Sequence, residues 1–229
     1  MRDLTMKKLV VACALTSMIA LSATANASEF TINPLVGASH SKASGTNLAL
    51  GLEAGYSDFI FGYTYTGDKN ETSSNYAFFD TEIHDSALNI NTYDNDKFKA
   101  HSLYVGYQFD LGAGHLAVKA GVELSKYSRS MGVNLSEINQ GGNAGHKAGL
   151  GITGTSNYEY SPMVGVGYYM NSGLNFNLHY TFQDGKRDMN ISAHGYNDNE
   201  SKSEAITRAK KAVSNRDFGA VMFTVGYRF

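Results

Sequence analysis

Glu53, Lys119 and Glu123 each fall within an alternating apolar stretch of the chain. A charge taken into a packed interior is costly unless it is paired. The three are therefore expected to meet, with Lys119 touching at least one of the two carboxylates. Such a group could fill space and fix register, or it could line a narrow ion path. Gln108, His179 and Arg228 share its phase and extend the expected polar network. His179-Tyr180-Thr181 spaces an imidazole and a hydroxyl like a base and a nucleophile, but threonine is a weak nucleophile without a positioned base. His101-Ser102 sends its two groups to opposite faces of an extended chain, and His84-Asp85 lacks the remaining members of a proteolytic site. "YDND" at 93–96 offers oxygen ligands without a full calcium-loop set. Gly165-x-Gly167 sits inside an alternating stretch and not in a phosphate-binding loop. No catalytic residue, metal or cofactor is expected.

The elements that position these groups read as strands. Leu48, Leu50, Leu52, Ala54 and Tyr56 alternate with Ala49, Gly51, Glu53 and Gly55. The same period of two runs through Phe59–Tyr65, Leu103–Leu111, Leu116–Leu124, Val164–Met170, Leu174–Phe182 and Val221–Phe229. A less regular first strand, "FTINPLVGA", carries Pro34, which an edge or a bulge tolerates. Sustained alternation marks half-buried strands rather than helices.

Eight such strands predict an all-β, eight-stranded antiparallel transmembrane barrel. The connections alternate in length as an outer-membrane barrel requires. Ser57-Asp58, 112–115 and 171–173 are tight, whereas 67–97, 128–156 and 184–216 are expected as long extracellular loops. One phase is apolar or tyrosine throughout and carries no charge. The other holds the polar residues named above and many glycines, which make room in a narrow interior. A soluble barrel with its apolar face inward would have to pack more aromatics than so small an interior holds.

The N-terminal stretch reads as a leader. Arg2, Lys7 and Lys8 precede the apolar run Leu9–Leu21 and the small-residue site Ala25-Asn26-Ala27. This is the pattern of a signal peptide over 1–27, with the barrel domain over 28–229. The apolar run is too short to cross a bilayer as a helix. Cleavage would remove Cys13 and take the formal net charge from −2 to −4, a balance unlike that of a nucleic-acid binder. A cysteine-free exported chain takes no stability from disulfides.

Phe223, Val225, Tyr227 and Phe229 alternate up to the final residue of the sequence. This closing strand resembles the signal read by the barrel-assembly machinery in outer-membrane proteins. Together with the eight strands, it makes the mature chain resemble, in architecture, the OmpX/Ail and opacity-protein group and the barrel of OmpA. The resemblance implies insertion in the cell outer membrane as a monomer, with both ends periplasmic. No segment follows that would correspond to the peptidoglycan-binding domain of OmpA. In some outer-membrane lipid A deacylases a His-x-Ser pair reaches lipid. Here the phase turns His179 and Thr181 inward.

Function is then expected in the extracellular segments. Residues 67–97 hold Asp68, Glu71, Asp80, Glu82, Asp85, Asp94 and Asp96 against two lysines. The segment 184–216 is basic, and within it "SKSEAITRAKKAV" reads as a helix opened by a Ser201–Glu204 capping box. Its Lys202, Arg208, Lys210 and Lys211 could lie on anionic lipopolysaccharide or dock on the acidic segment. Met131, Val133 and Leu135 alternate, as do Leu150 and Ile152. A hairpin projecting there would offer an edge for strand addition by a host-surface or other extracellular ligand. A surface-interaction or envelope-integrity role is expected first, a narrow pore or small-solute carrier second and a lipid-modifying enzyme third.

Overall fold

The computed structural model describes residues 30–80, 86–139, 144–183, 187–195, 199–214 and 217–229. The expected leader and the His84-Asp85 pair lie outside these residues. Side chains are described for a narrower set, which leaves out 78–88, 137–147, 196–201 and 212–216.

Strands β1 (Phe30–Ser41) and β2 (Gly45–Tyr56) form the first hairpin. A two-residue turn leads to β3 (Phe59–Asp80), with Ser57 in the left-handed region at φ 52°. β4 (Ser86–Asp110) and β5 (Gly114–Asn139) follow. Next come β6 (Ala144–Ser156), β7 (Glu159–Met170) and β8 (Leu174–Thr181). β9 (Met189–His194), helix α1 (Asn199–Ser214) and β10 (Ala220–Tyr227) complete the chain. Eight strands close a ring in the order β1-β2-β3-β4-β5-β7-β8-β10. Every pair is antiparallel. Closure leaves the barrel itself without an unpaired edge.

The turns at the lower rim keep the outward phase. Tyr56 faces Phe59 and Tyr168 faces Phe176. Leu111, the last of the alternating set Leu103–Leu111, is a correction: β4 ends before it and it sits in the turn, which leaves Phe109 opposite Leu116. Gly173, at φ 93°, is needed where it stands, because a Cβ there would come within 2.8 Å of the Arg228 carbonyl oxygen. The seam between β1 and β10 runs through Val36↔Val225 and Ala38↔Phe223. It continues to Phe229, whose N–H donates to the Ile32 carbonyl (3.0 Å) and whose carbonyl accepts from the Ile32 N–H (3.3 Å).

The two faces are inverted relative to a water-soluble protein. Outward residues such as Leu103, Phe61, Val118 and Phe223 are about half exposed all round the ring. The Lys119 and Glu53 side chains are 0% and 2% exposed inside it. Apolar surface is driven from water at about 25 cal/mol per Å², and soluble monomers rarely expose a contiguous apolar patch larger than a few hundred Å². A belt of this extent fits hydrocarbon. Among the described residues no helix is long and apolar enough to cross a membrane; a closed barrel crosses with its strands.

The long segments depart from expectation. Residues 67–97 are mostly paired strand, not loop. β3 and β4 stay in register from Phe59↔Tyr107 to Asp80↔Ser86, and β4 and β5 as far as Ser86↔Asn139. Residues 128–139 and 144–156 are likewise strand, as the alternation of Met131, Val133 and Leu135 and of Leu150 and Ile152 suggests, since β6 pairs with the upper half of β5 and β9 pairs with β6. These upper parts build a five-stranded wall, β3-β4-β5-β6-β9, above one side of the barrel. The cause is the ladder. Once the strands below are paired, each added residue satisfies its backbone groups by continuing. Stretches such as Thr72-Ser73-Ser74-Asn75 have no apolar face to betray them. In 184–216, α1 begins at Asn199, two residues before Ser201, the residue expected to open the helix. α1 packs on β9 and β6. The acidic β3–β4 hairpin is the wall's other edge.

Candidate functional site

The barrel interior is built around one carboxylate. Glu53 on β2 shares a hydrogen-bonded row with Gly62 on β3, Tyr104 on β4 and Gly121 on β5. A Cβ at Gly62 would fall on the Tyr104 ring, and one at Gly121 would meet the Tyr104 backbone. The two glycines thus admit a ring into a narrow lumen. Tyr104 donates its hydroxyl to Glu53 Oε1 (2.8 Å), and Tyr169 on β7 donates to Oε2 (2.7 Å). Asn33 on β1 donates to the same Oε2 (2.6 Å). Lys119, two residues below Gly121 on β5, forms the ion pair with Glu53.

Lys119 also donates to Asn177 Oδ1 (2.6 Å), and Asn177 donates to Asn175 (3.0 Å). Asn175 donates to Asn33 Oδ1 (2.8 Å), which closes the loop of bonds. The ammonium lies 5.1 Å and 5.3 Å from the Tyr104 and Tyr169 ring centres. Strands β1, β2, β4, β5, β7 and β8 therefore meet at one network. A buried pair is weak evidence for stability, but removing one partner costs about 3–5 kcal/mol. Its clearest effect here is to couple strands from around the ring.

The other network residues stand at different heights. Below, Arg228 donates to Gln108 Oε1 (2.8 Å) and lies over the Tyr169 ring (5.3 Å). Above, Glu123 accepts from Thr181 (3.2 Å) and Ser102 (3.4 Å) and stays apart from Lys119. His179 packs its ring on Tyr104 at 4.8 Å, and neither of its nitrogens has a hydrogen-bond partner among the described residues. His179 and Thr181 are both buried in the lumen, away from the outer face. His101 is outward and hydrogen-bonded to the Tyr63 hydroxyl (2.8 Å), whereas Ser102 is buried. Within the "YDND" stretch, Asp94 is held by Arg129 through two bonds of 2.9 Å and 2.6 Å. That bonding raises the Arg129 guanidinium pKa above its ordinary value. Among the described residues no group of three or more His, Cys, Asp or Glu side chains is placed to hold a metal ion.

Sequence reasoning missed a cap over the mouth of the barrel. Phe98, Ala100, Tyr127, Met189 and Phe218 pack together there. Arg187 sits among them, 3.9 Å from the Phe218 ring centre, and donates to Ser125 Oγ (2.6 Å) and Gln183 Oε1 (2.8 Å). Burial pushes the Arg187 guanidinium down to about 10 while Glu159 and Glu123 draw it back up, so it stays charged at neutral pH. Phase alone points to Phe98, Tyr104, Tyr127 and Tyr169, since each alternates with an outward neighbour. Met189 and Phe218 fall beyond any regular alternation.

Phe223, Val225, Tyr227 and Phe229, expected as the assembly signal, all lie on the outward face, with Phe223 stacked on Phe176 (6.4 Å) and Tyr227 edge-on to Phe229 (5.0 Å). Lys202, Arg208, Lys210 and Lys211 line the exposed side of α1, and Arg208 pairs with Glu204 one turn back (2.5 Å).

No protein-family model matches the chain, and no curated protein matches it. Solved structures similar to it are outer-membrane barrels. CarO2 of Acinetobacter baumannii is 12% identical, over 87% of this chain and 99% of that one, with a TM-score of 0.39. Ail, the attachment invasion locus protein of Yersinia pestis, is 12% identical over 88% and 97%, at 0.33. A major outer membrane protein of Thermus thermophilus is 11% identical over 88% and 98%, at 0.34. Similarity at this level leaves function to be argued from the chain's own residues.

Proposed function

We propose that this chain is a non-enzymatic, monomeric barrel of the cell outer membrane, delivered by a cleaved leader and inserted by the barrel-assembly machinery. Its work is interaction at the cell surface. The observation that carries this reading is the contrast between a filled lumen and an elaborated wall. The barrel interior is occupied by Lys119, Glu53, Tyr169, His179 and their partners. The wall presents one polar face, one face that mixes polar residues with exposed Tyr76, Val133, Leu135 and Leu150, and an open strand edge. β2 leaves β3 at Ala49↔Thr66, and from Gly67 to Ala77 β3 has β4 on one side and no strand on the other among the described residues. Unpaired backbone groups of this kind accept an added strand. The ligand fitted to such an edge is an extended segment of a host-surface or other extracellular protein.

Deleting 70–95 shortens the β3–β4 hairpin without touching the barrel. Binding of whole cells to matrix or host surfaces is expected to fall while heat-modifiable mobility on gels shows an intact barrel. Unchanged binding would sink the proposal. In a planar bilayer the purified protein is expected to stay silent, and discrete conductance steps would favour a pore instead.

A further inference from the structure

On the outward faces of β3, β4 and β5 the apolar band ends in lysine. Gly67 and Lys69 follow Tyr65, Lys99 and Lys97 precede His101, and Lys126 follows Leu124. The register sets Lys69 directly opposite Lys97, and Lys99 directly opposite Lys126. Their sequence neighbours Phe98, Ser125 and Tyr127 are buried, so alternation turns the lysines outward. Like charges directly opposite one another destabilise a sheet, and here two such pairs adjoin.

The nearby acids do not resolve this. Lys69 pairs with Glu71. Among the described residues no carboxylate lies within ion-pair distance of Lys97, Lys99 or Lys126. Asp68, Asp94 and Asp96 occupy the opposite phase, where Asp94 holds Arg129. Alternation thus sorts a stretch that is acidic in total into an acidic inner face and a basic outer one. The lysines also stand at a defined height. They lie above Tyr63, Tyr65 and Tyr160, whose rings suit the headgroup layer, and Lys126 sits over Tyr158 at 5.5 Å.

We propose that Lys97, Lys99 and Lys126, with Lys69 beside them, form a site for a phosphorylated lipid headgroup of the outer leaflet. The site rests on the outer-membrane placement argued above. Ammonium groups bind phosphate as point charges. A phosphate between these strands would turn two repulsive pairs into a shared attraction.

The test places the refolded protein in phosphatidylcholine bilayer discs carrying either diphosphorylated or dephosphorylated lipid A, with retained lipid read by native mass spectrometry. Wild type is expected to retain the phosphorylated form at least about tenfold better, and Lys97→Gln/Lys99→Gln/Lys126→Gln to lose that preference. Lys202→Gln/Lys210→Gln/Lys211→Gln on α1 should keep it. Equal retention of the two lipids by wild type, or an equal loss in the α1 variant, overturns the site. Excess inorganic phosphate should leave the lipid in place, and full displacement by it would reduce the cluster to a free-anion site and overturn the lipid assignment. Lys99→Gln alone should raise the unfolding temperature in phosphatidylcholine and lower it with lipid A present; a shift of the same sign in both refutes the proposal. A chain that never enters bilayers refutes the membrane reading itself, whereas an inserted barrel indifferent to phosphate refutes only the site.

Discussion

β3, β4 and β5 run without a break through two environments, and the same alternation means opposite things in each. In the barrel the inward phase is polar and interlocked around Glu53, while the outward phase is apolar. In the wall the outward phase is polar and carries lysine, while the inward one mixes Asp94 and Arg129 with apolar Ile90, Met131, Val133 and Leu135. The backbone ladder is continuous across the boundary. Pairing therefore builds the strand, and the surroundings decide which side chains it tolerates. Hydrocarbon excludes charge, and a narrow lumen demands that every charge be paired.

The sharpest way to break this contrast is inside the lumen. Lys119→Ala leaves Glu53 buried without its counter-charge and is expected to cost about 3–5 kcal/mol in urea unfolding from lipid vesicles. The double change Lys119→Met/Glu53→Leu should recover most of that loss, and failure to recover would mean the network does more than pair charges. The second test moves one charge between environments. Leu103→Arg on the lipid-facing barrel surface should cost about 2–4 kcal/mol. Asn70→Arg on the exposed part of β3 should stay within about 0.5 kcal/mol. Similar costs at both positions would erase the boundary between barrel and wall. Removing Phe229 deletes two backbone bonds of the closing seam. That should lower stability by about 1–3 kcal/mol and reduce the inserted fraction more than any surface activity of molecules that do insert. Arg129→Ala breaks a solvated pair with Asp94 and should cost only about 0.2–1 kcal/mol.

The barrel was legible because lipid and lumen impose opposite chemistries on successive residues. Leu103 to Phe109 could be read directly, and the inward phase of Glu53 and Lys119 followed from their neighbours. The choice of Glu53 over Glu123 as the partner of Lys119 was not legible. It depends on cross-strand register, which places Glu53 in the row of Gly62, Tyr104 and Gly121. The β3–β4 part of the wall was hidden for a different reason. With solvent on both sides, Thr72-Ser73-Ser74-Asn75 carries no periodic signal, and only continuation of the strands beneath makes it extended. Arg187 was missed because two of its partners, Ser125 and Phe218, lie far from it in sequence.

The rim is uneven. β1 and β2 turn back at Lys42-Ala43-Ser44, close to the band, while β3, β4 and β5 climb well above it. A cylinder in a fluid membrane has no preferred heading, but this one has a tall side and a low side. A molecule approaching within the membrane plane would meet the lysine-edged wall from one direction and a bare rim from the other. Rotation of the barrel about its own axis thereby becomes an event that a neighbour could sense.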